Sequence, residues 1–239
     1  MGLIYDGHDF GDLVEYGDPE YMQLTSNVHY ASSENRDGDI VLGKTWGVAR
    51  LTFRIGFNGT IAQRRDILST IASWLDVDEP KRLVVPDMPG RYFMAIPDGD
   101  VSTLRGYDGE IATLSFALTD PIAYGDETTV TVPSGGSATF HVGGTSTARP
   151  VITANAARDA SALVWGLRLD EGDFVHVATG SSSSRPVSID CLERTCIVNS
   201  AVAMITLDSD WLELKPGKHT LRMDYGTGAA TVKFVERWL

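Results

Sequence analysis

Three stretches of the chain gather side chains with the capacity for chemistry. "DGHDFGD", residues 6 to 12, puts three carboxylates and the His8 imidazole within seven positions, the raw material of a cation site. The EF-hand spacing and its closing glutamate are absent, and a polar strand edge explains the same composition. "LDEGD" from 169 and "LDSDW" from 207 supply the paired carboxylates, Asp170 and Asp208 among them, that a glycosidase needs in one cleft. Such pairs are equally common in β-turns. The five histidines, His8, His29, His141, His176 and His219, form neither HxH nor HExxH. Cys191 and Cys196 have no further Cys or His beside them for zinc, and they read as buried small side chains in a reducing compartment. With no GxSxG, P-loop or GxGxxG either, no catalytic residue, metal or cofactor is expected.

Binding has one lead. Trp211 precedes a turn by a few residues, and an exposed indole there stacks on a sugar ring, the basis of an alternative reading as a carbohydrate-binding module for host cell-wall glycans. Trp165, after "ALV", reads as core.

Charge removes other partners. Lys and Arg total 20 against 32 Asp and Glu, a formal charge of −12, and the densest basic stretch is the pair Arg64-Arg65. Nucleic acids and anionic membranes reward clustered cations, so neither is expected. No run approaches the length of a membrane span, and the first ten residues lack the basic and apolar segments of a signal peptide.

The elements that must position these residues are mostly strands. Leu51, Phe53, Ile55 and Phe57 alternate with polar positions, as do Ala112, Leu114, Phe116 and Leu118. Between them the period changes. In "TIAQRRDILSTIASWLD", 60 to 76, Ile61, Leu68, Ile71, Ala72 and Leu75 follow helical spacing, and Thr60 with Gln63 forms a capping box, so a helix over 60 to 75 covers an open face of the sheet. Asp120-Pro121 stops the strand at 111 to 118 and, with Tyr124, marks a domain junction. Domains are therefore expected at 1–130 and 131–239. The second half predicts short strands at 151–155, 162–169, 173–179, 186–190, 195–199, 203–207, 211–215, 219–225 and 230–238, an antiparallel β-sandwich. Lys215-Pro216-Gly217-Lys218 fits a type II turn joining two of them as a hairpin.

Several pieces, in order, resemble the distal tail protein family of long, non-contractile-tailed bacteriophages: "IYDGHDF", "IASWL", "LVVPDMPGRYFMA", "LSFALTDPIAYGD", "ARPVITANA", "PVSIDCLERTCIVN" and "WLELKPGKHTLRMDYGTGAATVKFVERWL". One departure is Asn199-Ser200, where the family pattern suggests Asn-Gly. The resemblance implies a mainly β chain. Its N-terminal β-domain with one covering helix assembles into a hexameric ring, and a C-terminal galectin-like sandwich projects outward. It implies a structural hub without catalysis, at the tail tip of the virion and assembled in the host cytoplasm. The expected partners are further copies of itself, the tail tube protein, the tail-associated lysin or tail-tip hub protein, and a receptor-binding protein or host glycan. DNA would pass through the bore without specific binding. Leu51, Phe53, Ile55 and Phe57 are then the expected ring interface.

Overall fold

The structure, a computed structural model, describes the 239 residues except 1, 13–14, 17–19, 24–25, 35, 100–101, 106–108, 171 and 181. The chain divides into two compact units, Met1–Ala123 and Tyr124–Leu239.

In the first unit β1 (Ile4–Tyr5), β2 (His8–Asp9) and a 3-10 turn (Phe10–Asp12) precede β3 (Glu15–Tyr16) and β4 (Glu20–Gln23). There follow β5 (Ser26–Ala31), β6 (Ile40–Trp46), β7 (Ala49–Asn58), α1 (Ile61–Leu75), β8 (Lys81–Val84), β9 (Phe93–Pro97), β10 (Ser102–Arg105) and β11 (Gly109–Leu118). One antiparallel sheet runs β2-β1-β8-β9-β11-β7-β3, with β10 also on β11 and β4 also on β7. Its spine is the β7–β11 pair, ten residues in continuous register. Strand alternation sends Leu51, Phe53, Ile55 and Phe57 inward to meet Leu114, Phe116, Tyr5 and Leu83 in the core. The Phe116 ring lies 5.0 Å from Tyr5 and 6.0 Å from Phe53. Burial pushes the Tyr5 phenol up to about 12, and its hydroxyl donates to the Ala95 carbonyl at 3.2 Å. The four residues expected at a ring interface are thus core residues, a correction that follows from the pleat: the face that is apolar enough to attract a neighbour is the face the chain buries itself.

Helix α1 begins where its capping box places it. Gln63 donates its backbone N–H to the Thr60 hydroxyl, and the Thr60 N–H is accepted by the Gln63 side chain at 2.9 Å. It covers less than expected: only Ile71 is buried, while Ile61 is exposed. Trp74 supplies a further contact, stacked 4.6 Å from the His8 ring with Phe10 edge-on at 5.3 Å. Among the described residues no helix is long and apolar enough to cross a membrane.

Strand β11 ends at Leu118 and bends at 119–121 follow, as Asp120-Pro121 dictates. The second unit then begins at once with β12 (Ala123–Val132), so the boundary expected at 130 lies inside one of its strands. Tyr124 is a strand residue and not a linker; Arg237 stacks over its ring at 5.4 Å. The remaining strands are β13 (Ser137–Val142), β14 (Val151–Ala156), β15 (Trp165–Leu169), β16 (Phe174–Val177), β17 (Arg185–Asp190), β18 (Thr195–Val198), β19 (Ala201–Ala203), β20 (Gly217–Tyr225) and β21 (Ala230–Trp238). They form a six-stranded sheet, β12-β21-β14-β17-β18-β19, and a four-stranded sheet, β13-β20-β15-β16. Inward residues of both sheets, with Trp165, Leu221, Ile189 and Val232 fully buried, make one shared core. This is the antiparallel sandwich expected.

Two expected strands are absent. Residues 204–216 cross from one sheet edge to the other, touching Val177 through Ile205 and Ala148 through Leu214 by single bridges. Pro216 makes a bend and not a hairpin turn, because β20 pairs with β13 and β15 and leaves 211–215 without a ladder. Gly217 does take a positive φ, 134°.

Candidate functional site

Several of the described residues with catalytic potential have structural partners. In "DGHDFGD", His8 stacks on Trp74 and Asp9 accepts from the Gly11 N–H at 2.8 Å, while the Asp12 side chain lies outside the described residues. Among the described residues no three His, Cys, Asp or Glu side chains are placed to hold a metal. Asp170 accepts from the Thr220 N–H at 2.8 Å and meets His219 Nδ1 at 2.8 Å; the other ring nitrogen faces the Lys215 carbonyl at 2.7 Å. Glu171 lies outside the described residues. Asp208 is exposed at a turn, its carboxyl held below the usual range chiefly by the Thr206 hydroxyl. Cys191 and Cys196 are free and buried, and burial pushes the Cys191 thiol up to about 12, away from nucleophilic use.

One polar cluster escaped the reading of the sequence. Asp224 Oδ2 accepts from Arg168 Nη2 at 2.8 Å and meets His176 Nε2 at 2.9 Å, and Arg168 stacks over Phe174 at 4.6 Å. Burial raises the Asp224 carboxyl, but the hydrogen bonds from Arg168 and His176 outweigh it and hold it below the usual range. Ser209 nearby is engaged elsewhere: its hydroxyl accepts from the His176 backbone N–H at 2.9 Å and lies 2.7 Å from the Thr206 hydroxyl. The cluster ties β15, β16, β20 and the crossing segment together. Three residues far apart in sequence, on strands of ambiguous register, offered no local signal for it.

Trp211 packs half-buried against the core of the sandwich. Trp165 is fully buried, as expected. Trp238 lies so close over Gly125 that a β-carbon there would sit 2.8 Å from its ring.

What the chain leaves open is apolar surface. The hairpin β5–β6 pairs with no other described strand. Tyr30, Val41 and Leu42 are 59, 62 and 67 % exposed, and Trp46 and Val48 continue the patch. The signal was present in the consecutive apolar run "IVL" at 40–42, where a half-buried strand would alternate.

The comparisons with known proteins fit a molecule built of surfaces. Residues 8–115 match the family described as phage tail protein RIFT-related domain, and residues 143–238 match the siphovirus-type tail component, C-terminal domain. The distal tail protein of Bacillus phage SPP1 is 31% identical over 168 residues, 68% of this chain. The chain belongs to the distal tail protein family. The match spans 61% of the length of that curated relative. The crystal structure of the SPP1 Dit protein, described as a paradigm of hub adsorption apparatus in phages infecting Gram-positive hosts, superposes with a TM-score of 0.77 at 19% identity, covering 100% of this chain and 99% of that one. The phage P2 baseplate in its activated conformation gives a TM-score of 0.48 at 9% identity, over 96% and 92% of the two chains. The distal tail family's order of domains accounts for both units, and the mainly β fold is the one expected from it.

Proposed function

We propose that this distal tail family member is a structural, non-enzymatic component of a siphovirus tail tip. Six copies close into a ring through their first units, and the second unit is carried for attachment. The observation that supports this reading is the β5–β6 hairpin. An isolated two-stranded sheet is marginal in water, and one with exposed Tyr30, Val41, Leu42 and Trp46 gains stability only against another surface. A ring needs such heterologous contacts, repeated and closed under rotation. The hairpin, and not the buried Leu51–Phe57 face, is the assigned contact between copies.

In this reading the ring joins the tail tube protein to the tail-associated lysin or tail-tip hub protein, in the virion, after assembly in the host cytoplasm. The formal charge of −12 suits a bore that passes DNA without holding it. Light scattering of the purified protein is expected to give six times the 25.9 kDa chain mass, with rings in electron micrographs. The double substitution Val41→Lys with Leu42→Lys is expected to leave a folded monomer, since neither side chain belongs to the core. A wild-type monomer at tens of micromolar, or a hexamer untouched by the double substitution, overturns the assignment.

A further inference from the structure

Three large apolar side chains in the run "AVAMITL", 201 to 207, stand almost wholly in water: Val202 is 90 %, Met204 82 % and Leu207 105 % exposed. Val202 belongs to β19, the last strand of the six-stranded sheet. The β18–β19 hairpin turns on Asn199 and Ser200, with φ of 51° and 64°, the type I′ geometry of a two-residue loop. In such a loop the flanking pair, Val198 and Ala201, exchanges both ladder hydrogen bonds. The next pair, Ile197 and Val202, does not, so Val202 directs its N–H and C=O away from the sheet.

Proteins protect edges of this kind with Lys, Pro or a bulge, and β19 reads Ala-Val-Ala with none of them. The residues that follow are held in place. Thr206 donates its N–H to the His176 carbonyl at 2.9 Å, Ile205 bridges Val177, and the Thr206 and Ser209 hydroxyls lie 2.7 Å apart. This anchoring leaves Met204 and Leu207 facing solvent beside the exposed Asp208 and Asp210. A second copy of the chain would bring like charges to the same edge, on top of a formal −12 each.

The geometry points to a docking edge at 201–207 for an extended apolar strand of a different protein, added beside β19 and flanked by Lys or Arg to meet Asp208 and Asp210. Main-chain pairing at Val202 supplies register, and the Val202, Met204 and Leu207 side chains supply the apolar contact. The inference rests on the second unit alone and stands whether or not the first unit forms a ring.

The test titrates the full-length protein with a fluorescent peptide of about eight residues alternating valine and lysine, read by anisotropy, beside a valine–glutamate peptide. The lysine peptide is expected to bind about tenfold more tightly than the glutamate peptide. Val202→Pro removes the outward N–H without costing a ladder bond and leaves net charge unchanged, so it separates strand pairing from plain attraction to an acidic protein. It is expected to weaken the lysine peptide by about tenfold, while Val202→Thr, which keeps the N–H, stays within about threefold. Should Val202→Pro lower the melting temperature, Leu207→Ser, on a fully exposed side chain and with net charge unchanged, separates the apolar contact from plain attraction to an acidic protein. Absent binding, or equal binding to wild type, Val202→Pro and Leu207→Ser, overturns the proposal. So does self-association of the wild type lost in Val202→Pro, which would make a second copy the occupant.

Discussion

The first unit leaves a whole supersecondary element uncovered, whereas the second leaves a strand edge. In the first, the β7–β11 spine buries its apolar face completely, yet β5–β6 exposes both of its faces and α1 buries a single side chain. In the second, two sheets close on one core, 21 buried residues among those described, and even the crossing segment 204–216 is bridged to Val177 of β16 and to Ala148. The difference separates two kinds of unfinished surface. A hairpin that cannot be stable by itself calls for an obligate neighbour, while an edge on a finished sandwich accepts an optional one.

The sharpest way to break that comparison is to cut the sandwich in the wrong place. Strand β12 forms one end of the six-stranded sheet, and its residues Tyr124, Gly125 and Glu127 meet Arg237, Trp238 and Lys233. A fragment 124–239 is expected to melt cooperatively as a monomer. Fragment 131–239 loses those contacts and is expected to be less stable by about 3 kcal/mol, on the order of 15 °C for a domain this size. Equal melting temperatures would show β12 to be a dispensable strap and return the boundary to residue 130.

That boundary also shows what was legible in the chain and what was not. The helix, its capping box, the strands at 111–118 and 230–238 and the stop at Asp120-Pro121 were readable, because each is written in neighbouring residues. The partner of a strand is not. "AYGDETTVTV" looks like polar linker until β21 is found beside it, and Leu51 to Phe57 look like an interface until β11 is found beside β7 and their shared apolar face is found buried. The same limit hid the Arg168–Asp224–His176 cluster.

Acid sharpens the comparison next. Asp159, Asp170, Asp208 and Asp224, whose carboxyls are held below the usual range, all lie in the second unit. A depressed folded-state value contributes stability that is present above the unfolded value, about 3.9, and is lost as pH falls through the folded one. The sandwich is therefore expected to lose stability below about pH 4, followed by tryptophan fluorescence through the buried Trp165. Asp224→Asn is expected to cost about 2 kcal/mol at pH 7, because it leaves Arg168 and His176 without their shared carboxylate. The gap to wild type should close as the pH drops, and a gap independent of pH would assign the cost to packing.

The smallest expected effect tests the hairpin that presents the docking edge. Ser200 holds φ at 64° in a type I′ turn, a conformation that costs an L-residue about 1–2 kcal/mol, while glycine there adds roughly 0.5–1 kcal/mol of unfolded-state entropy. The first term is the larger, so Ser200→Gly, which restores the favoured Asn-Gly pair, is expected to stabilise fragment 124–239 by about 0.5 kcal/mol, or a few degrees. Nothing in the peptide-binding edge itself changes, since Val202 keeps its outward N–H and its side chain. A higher melting temperature with unaltered lysine-peptide affinity would show that β19 is already ordered before a partner arrives. Tighter binding on the same substitution would show instead that the edge is partly frayed in the wild type, and that docking has to order it.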